Sequence, residues 1–181
     1  VRGELVMQGY WRNEEATREA IRDGWLHTGD IGHFDADGHL VITDRKKDII
    51  VNSGGDNVAP QRIESLLALE PEIAQAMVHG DRHPHLVAVL VPDEDWLRRW
   101  AQAAGKPADL GALADDKDLH AALGEAVERV NVTVRSFEKV RRFLIAAGPF
   151  TIENEMLTPT LKVRRHKVRA LYGERLEKLY A

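Results

Sequence analysis

The feature that most narrows the fold is an unbroken apolar run, Leu86-Val87-Ala88-Val89-Leu90-Val91. Six residues fall far short of the roughly 20 needed to cross a bilayer, so the run reads as a strand. Ile73 to His79 supplies its partner across a polar turn from Asp81 to His85. A strand pair of this kind needs a cover, and helical patterns stand on both sides of it in the sequence. Pro60 to Leu69 places Ile63, Leu66 and Leu67 on one face behind a proline suited to a first helical turn. Asp93 to Ala104 reads as a helix stopped by Gly105.

Beyond Gly105, Lys106 to Asp116 reads as a linker. Leu119, Leu123, Ala126, Val127, Val130, Val134 and Phe137 then form one stripe of a long helix. Val140 to Ala146 is a further strand, Met156 to Thr160 a turn-rich loop, and Val168, Leu171, Tyr172, Leu176 and Leu179 mark a final amphipathic helix. Ahead of the central pair, Gly3 to Gly9 reads as a strand. Asn13 to Arg22 reads as a surface helix stopped by Asp23-Gly24. Trp25 to Gly29 and Gly38 to Asp44 are expected to be strands, with a turn at Asp35-Ala36-Asp37-Gly38 between them. Asp48 to Asn52 is strand-like and leads to a hairpin tip at Ser53-Gly54-Gly55-Asp56.

Interleaved strands and helices without an internal repeat imply an α/β (α+β) fold: a small mixed β-sheet flanked by helices, preceded by a short β-rich segment. The domain boundary is expected between residues 43 and 44, with 1–43 the trailing part of a different domain and 44–181 a domain of its own. The chain opens on Val1-Arg2-Gly3-Glu4-Leu5-Val6, which reads like the middle of a strand, so it is expected to be a piece of something longer.

The 44% hydrophobic and 30% charged content suits a packed core. A net charge of -4 argues against a general nucleic-acid binder. The absence of cysteine excludes disulfides, thiolate metal sites and cysteine nucleophiles, and is compatible with a reducing compartment. No signal peptide is visible. A cytoplasmic location is expected, with peripheral membrane association left open.

Four clusters carry chemistry. Trp25-Leu26-His27-Thr28-Gly29-Asp30 places a carboxylate after a glycine, where it can accept two hydrogen bonds from a ribose diol or simply form a turn. Thr43-Asp44-Arg45-Lys46-Lys47-Asp48 is by itself a solvated charge run. Gly54-Gly55 lacks Cβ atoms and permits close backbone approach to a ligand, although most such pairs are turns. Leu157-Thr158-Pro159-Thr160-Leu161-Lys162-Val163-Arg164-Arg165 puts cations just before a helix, where the helix dipole opposes them. A lysine there can swing a point charge onto a phosphate or carboxylate. His27 reads as a strand-end residue. His79, His83 and His85 resemble a metal cluster by composition only and read as a surface turn, so no metal site is expected.

The order and spacing of these pieces resemble the adenylate-forming superfamily of acyl-CoA synthetases, luciferases and peptide-synthetase adenylation domains. The matching residues are Thr28-Gly29-Asp30, Asp35-x-Asp37-Gly38, Asp44-Arg45-Lys46-Lys47-Asp48, Ser53-Gly54-Gly55, Asn57-Val58-x-Pro60, Ile63-Glu64 and Lys162. Most of the superfamily has Gly before the lysine. The Leu161-Lys162 form here looks like that of many long-chain fatty acyl-CoA synthetases.

The resemblance implies an ATP-dependent long-chain fatty acid–CoA ligase, with ATP, Mg²⁺ and coenzyme A as its cofactors and substrates. Its N-terminal AMP-binding domain would be the partner of this chain. It implies Lys162 as the mobile catalytic cation, Asp30 and Arg45 as nucleotide-binding residues, Lys47 as the hinge, and Gly54 and Gly55 as the lining of the pantetheine tunnel. The basic run Lys162, Arg164, Arg165, Lys167 and Arg169 otherwise reads as a solvated helix flank. A fatty acyl-AMP ligase, a shorter-chain synthetase and a non-catalytic interaction module are the alternatives.

Overall fold

A computed structural model describes residues 1–181, and the chain divides after Asp48 into two compact units. The division falls a few residues beyond the expected boundary. Its cause is local: Arg45 still pairs with Asp30 in the strand ladder, and the Asp48 amide donates to the Arg45 carbonyl at 2.9 Å.

In the first unit, α1 (Glu14–Ala20) is capped by Asn13, whose side-chain oxygen accepts from the Ala16 amide. A tight hairpin of β1 (Ile21–Arg22) and β2 (Trp25–Leu26) follows, so Asp23-Gly24 is a hairpin turn as well as the end of the helical segment. β3 (Asp30–Phe34) pairs antiparallel with β4 (Leu40–Arg45) across the expected turn at residues 35–38. The partner of β4 is therefore β3, and not the earlier segment 25–29. Gly3 to Gly9 is a series of turns and no strand. The chain start is tied at Val1, which exchanges two 2.8 Å bonds with Leu26, and the segment that follows pairs with no neighbouring strand.

The second unit opens on a hairpin, β5 (Ile50–Val51) with β6 (Asn57–Val58), followed by α2 (Pro60–Leu67). β7 (Ile73–His79) and β8 (Leu86–Pro92) pair antiparallel, as the central apolar run requires. α3 (Glu94–Ala104) is capped at both ends: the Asp93 carboxylate accepts from the Trp96 amide, and Gly105 takes the left-handed φ of +65°. The segment expected as a linker contains a short helix, α4 (Leu110–Leu113), because Asp109 caps it through the Gly111 amide.

α5 (Lys117–Asn131) is shorter than its apolar stripe. Its last residue, Asn131, is buried and clasps Val140 with two 2.9 Å bonds, which turns the chain into β9 (Val140–Ile145). Val134 and Phe137 pack on the core from the intervening irregular segment. β9 runs parallel to β8, giving a three-stranded sheet in the order β7-β8-β9. α6 (Arg165–Lys178) closes the chain.

Every residue of β8 is buried. Leu86, Ala88 and Leu90 face a cluster with Ile63 and Leu67 of α2, Leu97 of α3 and Leu119 and Leu123 of α5. Val87, Val89 and Val91 face the opposite cluster, built on Phe150, Leu157 and Val168, Tyr172 and Leu176 of α6. The two clusters thus lie on the two faces of one sheet, since successive strand residues point to opposite sides. The hairpin β5–β6 is rooted in the first cluster through Ile50 and Val58. The segment from Met156 to Val163 is rooted in the second.

Leu171, assigned to the apolar stripe of α6 by spacing, is 60% exposed, whereas Leu90 is fully buried. Leu90→Ala is therefore expected to lower unfolding stability by about 3 kcal/mol, and Leu171→Ala to change it by less than about 0.5 kcal/mol. Urea titration of the two variants checks this, and comparable losses would contradict the burial assignment.

Candidate functional site

In the first unit, Asp30 and Arg45 are directly opposite on the β3–β4 ladder. Arg45 Nε stands 2.9 Å from Asp30 Oδ1. This contact leaves the second carboxylate oxygen as an acceptor and the terminal guanidinium N–H groups as donors. Gly29 precedes the pair at φ +75°, and its carbonyl accepts from the Lys46 amide at 2.8 Å, so a left-handed residue is what lets the chain enter β3 here. Lys47 is exposed in the turn from Arg45 to Asp48, immediately before the division between the units. His27 is exposed just after β2.

In the second unit, Gly54 and Gly55 form the exposed tip of the β5–β6 hairpin. A buried residue that sequence reasoning missed, Asn52, shapes this tip. Its Oδ1 accepts from the amides of Gly54 (2.9 Å) and Asp56 (2.8 Å), and its Nδ2 donates to Asp56 Oδ2 at 3.1 Å. The signal was present, since Asn two residues before a glycine is an Asx-turn former. Gly55 sits at φ +86°. A second strap holds the hairpin to the β7–β8 turn: Arg82 donates its amide to the Val51 carbonyl (2.7 Å), and Ser53 donates to that of His83 (2.9 Å).

Lys162 lies on the arm of a small hairpin between β9 and α6. Leu157 and Val163 form its base as an isolated antiparallel bridge. Thr158-Pro159-Thr160-Leu161 is its turn, closed by the Leu161 amide on the Thr158 carbonyl at 2.8 Å. The Thr158 hydroxyl accepts from the Lys162 amide at 3.0 Å. Leu161 takes φ +59°, a left-handed conformation that costs a non-glycine residue roughly 1–2 kcal/mol. That geometry gives a physical reason for the glycine that most of the resembling family places before the lysine. Lys162 itself is exposed and forms no salt bridge within the chain.

Its basic neighbours differ. Arg165 makes a two-pronged contact with Glu64 of α2, each prong 2.6 Å, and Glu64 also accepts the Val78 amide of β7 at 2.8 Å. Lys167 pairs with Glu155 at 2.6 Å. The start of α6 is thus anchored by ion pairs, and the Lys162 hairpin projects from an anchored base. Glu64 belonged to the matched pattern, but its partner is 101 residues away and carries no local signal.

His83 and His85 lie in the expected turn between β7 and β8, and His79 does not. His79 ends β7 and is buried, and burial pushes its imidazole pKa down against the pull of the Glu177 carboxylate. His79 and His83 both turn Nε2 toward Glu177 of α6, at 3.2 and 3.1 Å. Tyr180 stacks on His83 with ring centroids 3.7 Å apart, and its hydroxyl donates to the His79 carbonyl at 3.1 Å. The convergence of these two imidazoles on one carboxylate was not expected from the sequence, because the acid lies nearly a hundred residues downstream.

The description of the matching family model is "AMP-binding enzyme C-terminal domain", and it matches residues 47–181. The chain is 45% identical over 182 residues to the long-chain-fatty-acid–CoA ligase FadD15 of Mycobacterium tuberculosis, a match that covers 99% of this chain and 30% of that protein. It is 40% identical over 185 residues to the human long-chain-fatty-acid–CoA ligase 6, covering all of this chain and 26% of the relative. Among solved structures, the A domain of a carboxylic acid reductase from Segniliparus rugosus, in complex with AMP and a co-purified carboxylic acid, is similar at a TM-score of 0.84. Its identity is 32%, over 99% of this chain and 27% of that one. The chain thus spans less than a third of the length of these relatives.

If Glu64 and Arg165 act as one unit, Glu64→Ala and Arg165→Ala each lower unfolding stability by about 3 kcal/mol, because each removes the ion-pair partner of a largely buried charge. The double variant should lose clearly less than the sum of the two. Additive losses in denaturant titrations would show that the pair is not coupled.

Proposed function

The chain belongs to the AMP-binding enzyme C-terminal domain family, and from that premise we propose that it is the C-terminal part of an ATP-dependent long-chain fatty acid–CoA ligase. The observation that carries the reading is the state of Lys162: an exposed ammonium without an ion-pair partner, held on a braced hairpin while Arg165 and Lys167 beside it are paired. The long-chain ligases among its relatives support the substrate class.

In the proposed reaction a fatty-acid carboxylate oxygen attacks the α-phosphorus of ATP, which enters with Mg²⁺ as its counter-ion, and pyrophosphate leaves. The thiol of coenzyme A then attacks the acyl carbon, and AMP leaves. Charge builds on carboxylate and phosphate oxygens in the first step, and a mobile cation between them stabilises the transition state more than the ground state. Lys162 supplies that cation. Asp30 accepts the ribose hydroxyls, and Arg45, which holds one carboxylate oxygen of Asp30, turns its remaining N–H groups toward the nucleotide.

Lys47, in the turn that precedes the division between the units, is the hinge. Rotation about it exchanges Lys162 for the Gly54-Gly55 hairpin, whose bare backbone lines the path of the pantetheine arm. One piece of geometry supports this exchange: the lysine and the glycines are rooted on opposite faces of one sheet, so one unit carries both. The exposed Phe34, Leu40 and Ile42 of the β3–β4 ribbon support a larger N-terminal AMP-binding domain as the partner that residues 1–43 complete. No helix is long and apolar enough to cross a membrane. The proposed location is cytoplasmic, where ATP and coenzyme A are supplied.

Lys162→Ala in the full-length enzyme is expected to lower adenylation by about 10²-fold or more. Thioester formation from a supplied acyl-adenylate should fall far less. Pyrophosphate exchange and single-turnover thioesterification measure the two steps, and equal losses would contradict the assignment. An acyl-chain panel on the same enzyme tests the long-chain assignment, with best turnover expected on long chains.

A further inference from the structure

The convergence of His79, His83 and Glu177 has no part in the reaction proposed above. We propose that these three residues form a binding site for a divalent transition-metal ion, zinc by ligand type. Their nearest ligating atoms all lie within 4.8 Å of one another. Two of the separations are 3.2 and 3.1 Å, from each histidine Nε2 to a different oxygen of Glu177. Donor atoms about 2.0–2.2 Å from a tetrahedral zinc stand about 3.3–3.6 Å apart, so small side-chain shifts bring the set into range. Imidazole nitrogen with one carboxylate is a donor set that zinc accepts with a further position open.

The donors are also held in place, which lowers the ordering cost of binding. His79 is buried at the end of β7. His83 is clamped by the stacked ring of Tyr180, and its carbonyl accepts from Ser53 of the β5–β6 hairpin. The hydroxyl of the same tyrosine fixes the backbone of His79. Supporting contacts of this kind set ligand orientation in metal sites.

Access is provided by an open groove of about 390 Å³, lined by His79, His166, Arg169, Gly173, Leu176 and Glu177. Arg169 on that groove opposes a cation coulombically, and the carboxylate with two imidazoles must outweigh it. A bound ion would tie β7, the β7–β8 turn and α6 together, so binding should raise thermal stability.

The test uses the tag-free 181-residue chain, stripped with a chelator and titrated with Zn²⁺ by calorimetry, with thermal unfolding and Co²⁺ visible absorption alongside. Expected are one equivalent of Zn²⁺ bound, a higher unfolding temperature and the d–d bands of a low-coordinate Co²⁺ site. His83→Ala and Glu177→Gln should each weaken Zn²⁺ binding by more than about tenfold. His166→Ala, on the same groove but outside the donor set, should leave it unchanged. Glu177 is an exposed side chain, so its variant folds and isolates the metal effect. Absence of saturable binding, or equal binding by the His83 and Glu177 variants, overturns the proposal. Either result leaves the role of Lys162 untouched.

Discussion

The two-sided burial of β8 is the constraint on which the second unit depends. A strand that must be covered on both faces recruits helices α2, α3 and α5 to one side and α6 with the preceding loops to the other. Both candidate elements inherit their positions from that division. The hairpin carrying Gly54 and Gly55 grows out of one cluster through Ile50 and Val58. The hairpin carrying Lys162 grows out of the other through Leu157 and Val163. A domain built this way holds the two hairpins on opposite faces of one sheet, an arrangement that suits the proposed reorientation of the domain as a body.

Electrostatics completes the picture. The first turn of α6 contains no acidic residue, and cations there oppose the helix dipole. The fold compensates by pairing Arg165 with Glu64 and Lys167 with Glu155, which fastens the helix start to α2 and to its own preceding loop. Lys162 stands just outside that compensated zone. Its ammonium is exposed on a turn whose geometry is set by Thr158, Pro159 and a left-handed Leu161. The conformational cost at Leu161 falls at a position where an altered backbone would re-aim the lysine, which is where stored strain is commonly found.

Much of this was legible in the sequence where the signal is local. The six-residue apolar run, the Asp93 and Gly105 caps of α3 and the Asp35–Gly38 turn each follow from chemistry within a few residues, and each stands as expected. Errors arose where a distant partner decides. β4 pairs with residues 30–34 because the ladder is completed by Arg45 opposite Asp30, which no propensity of 25–29 reveals. α5 stops at Asn131 because that amide side chain is claimed by Val140, although the apolar spacing runs on. The candidate site divides the same way. Asp30, Gly54-Gly55 and Lys162 were marked by local motif, whereas Glu64's partner and the acid facing His79 and His83 lie far along the chain.

The central claim is that position 162 acts as a charge delivered on an exposed arm. This chain contains no cysteine, so a single Lys162→Cys replacement introduces the one alkylatable thiol within it. In the full-length enzyme, adenylation by that variant should be severely impaired, and aminoethylation of the thiol, which rebuilds a lysine-like ammonium, should restore much of it. Treated parent enzyme serves as the control. Quantitative modification without recovery of adenylation would contradict the account, because the charge would then be present on the arm and idle.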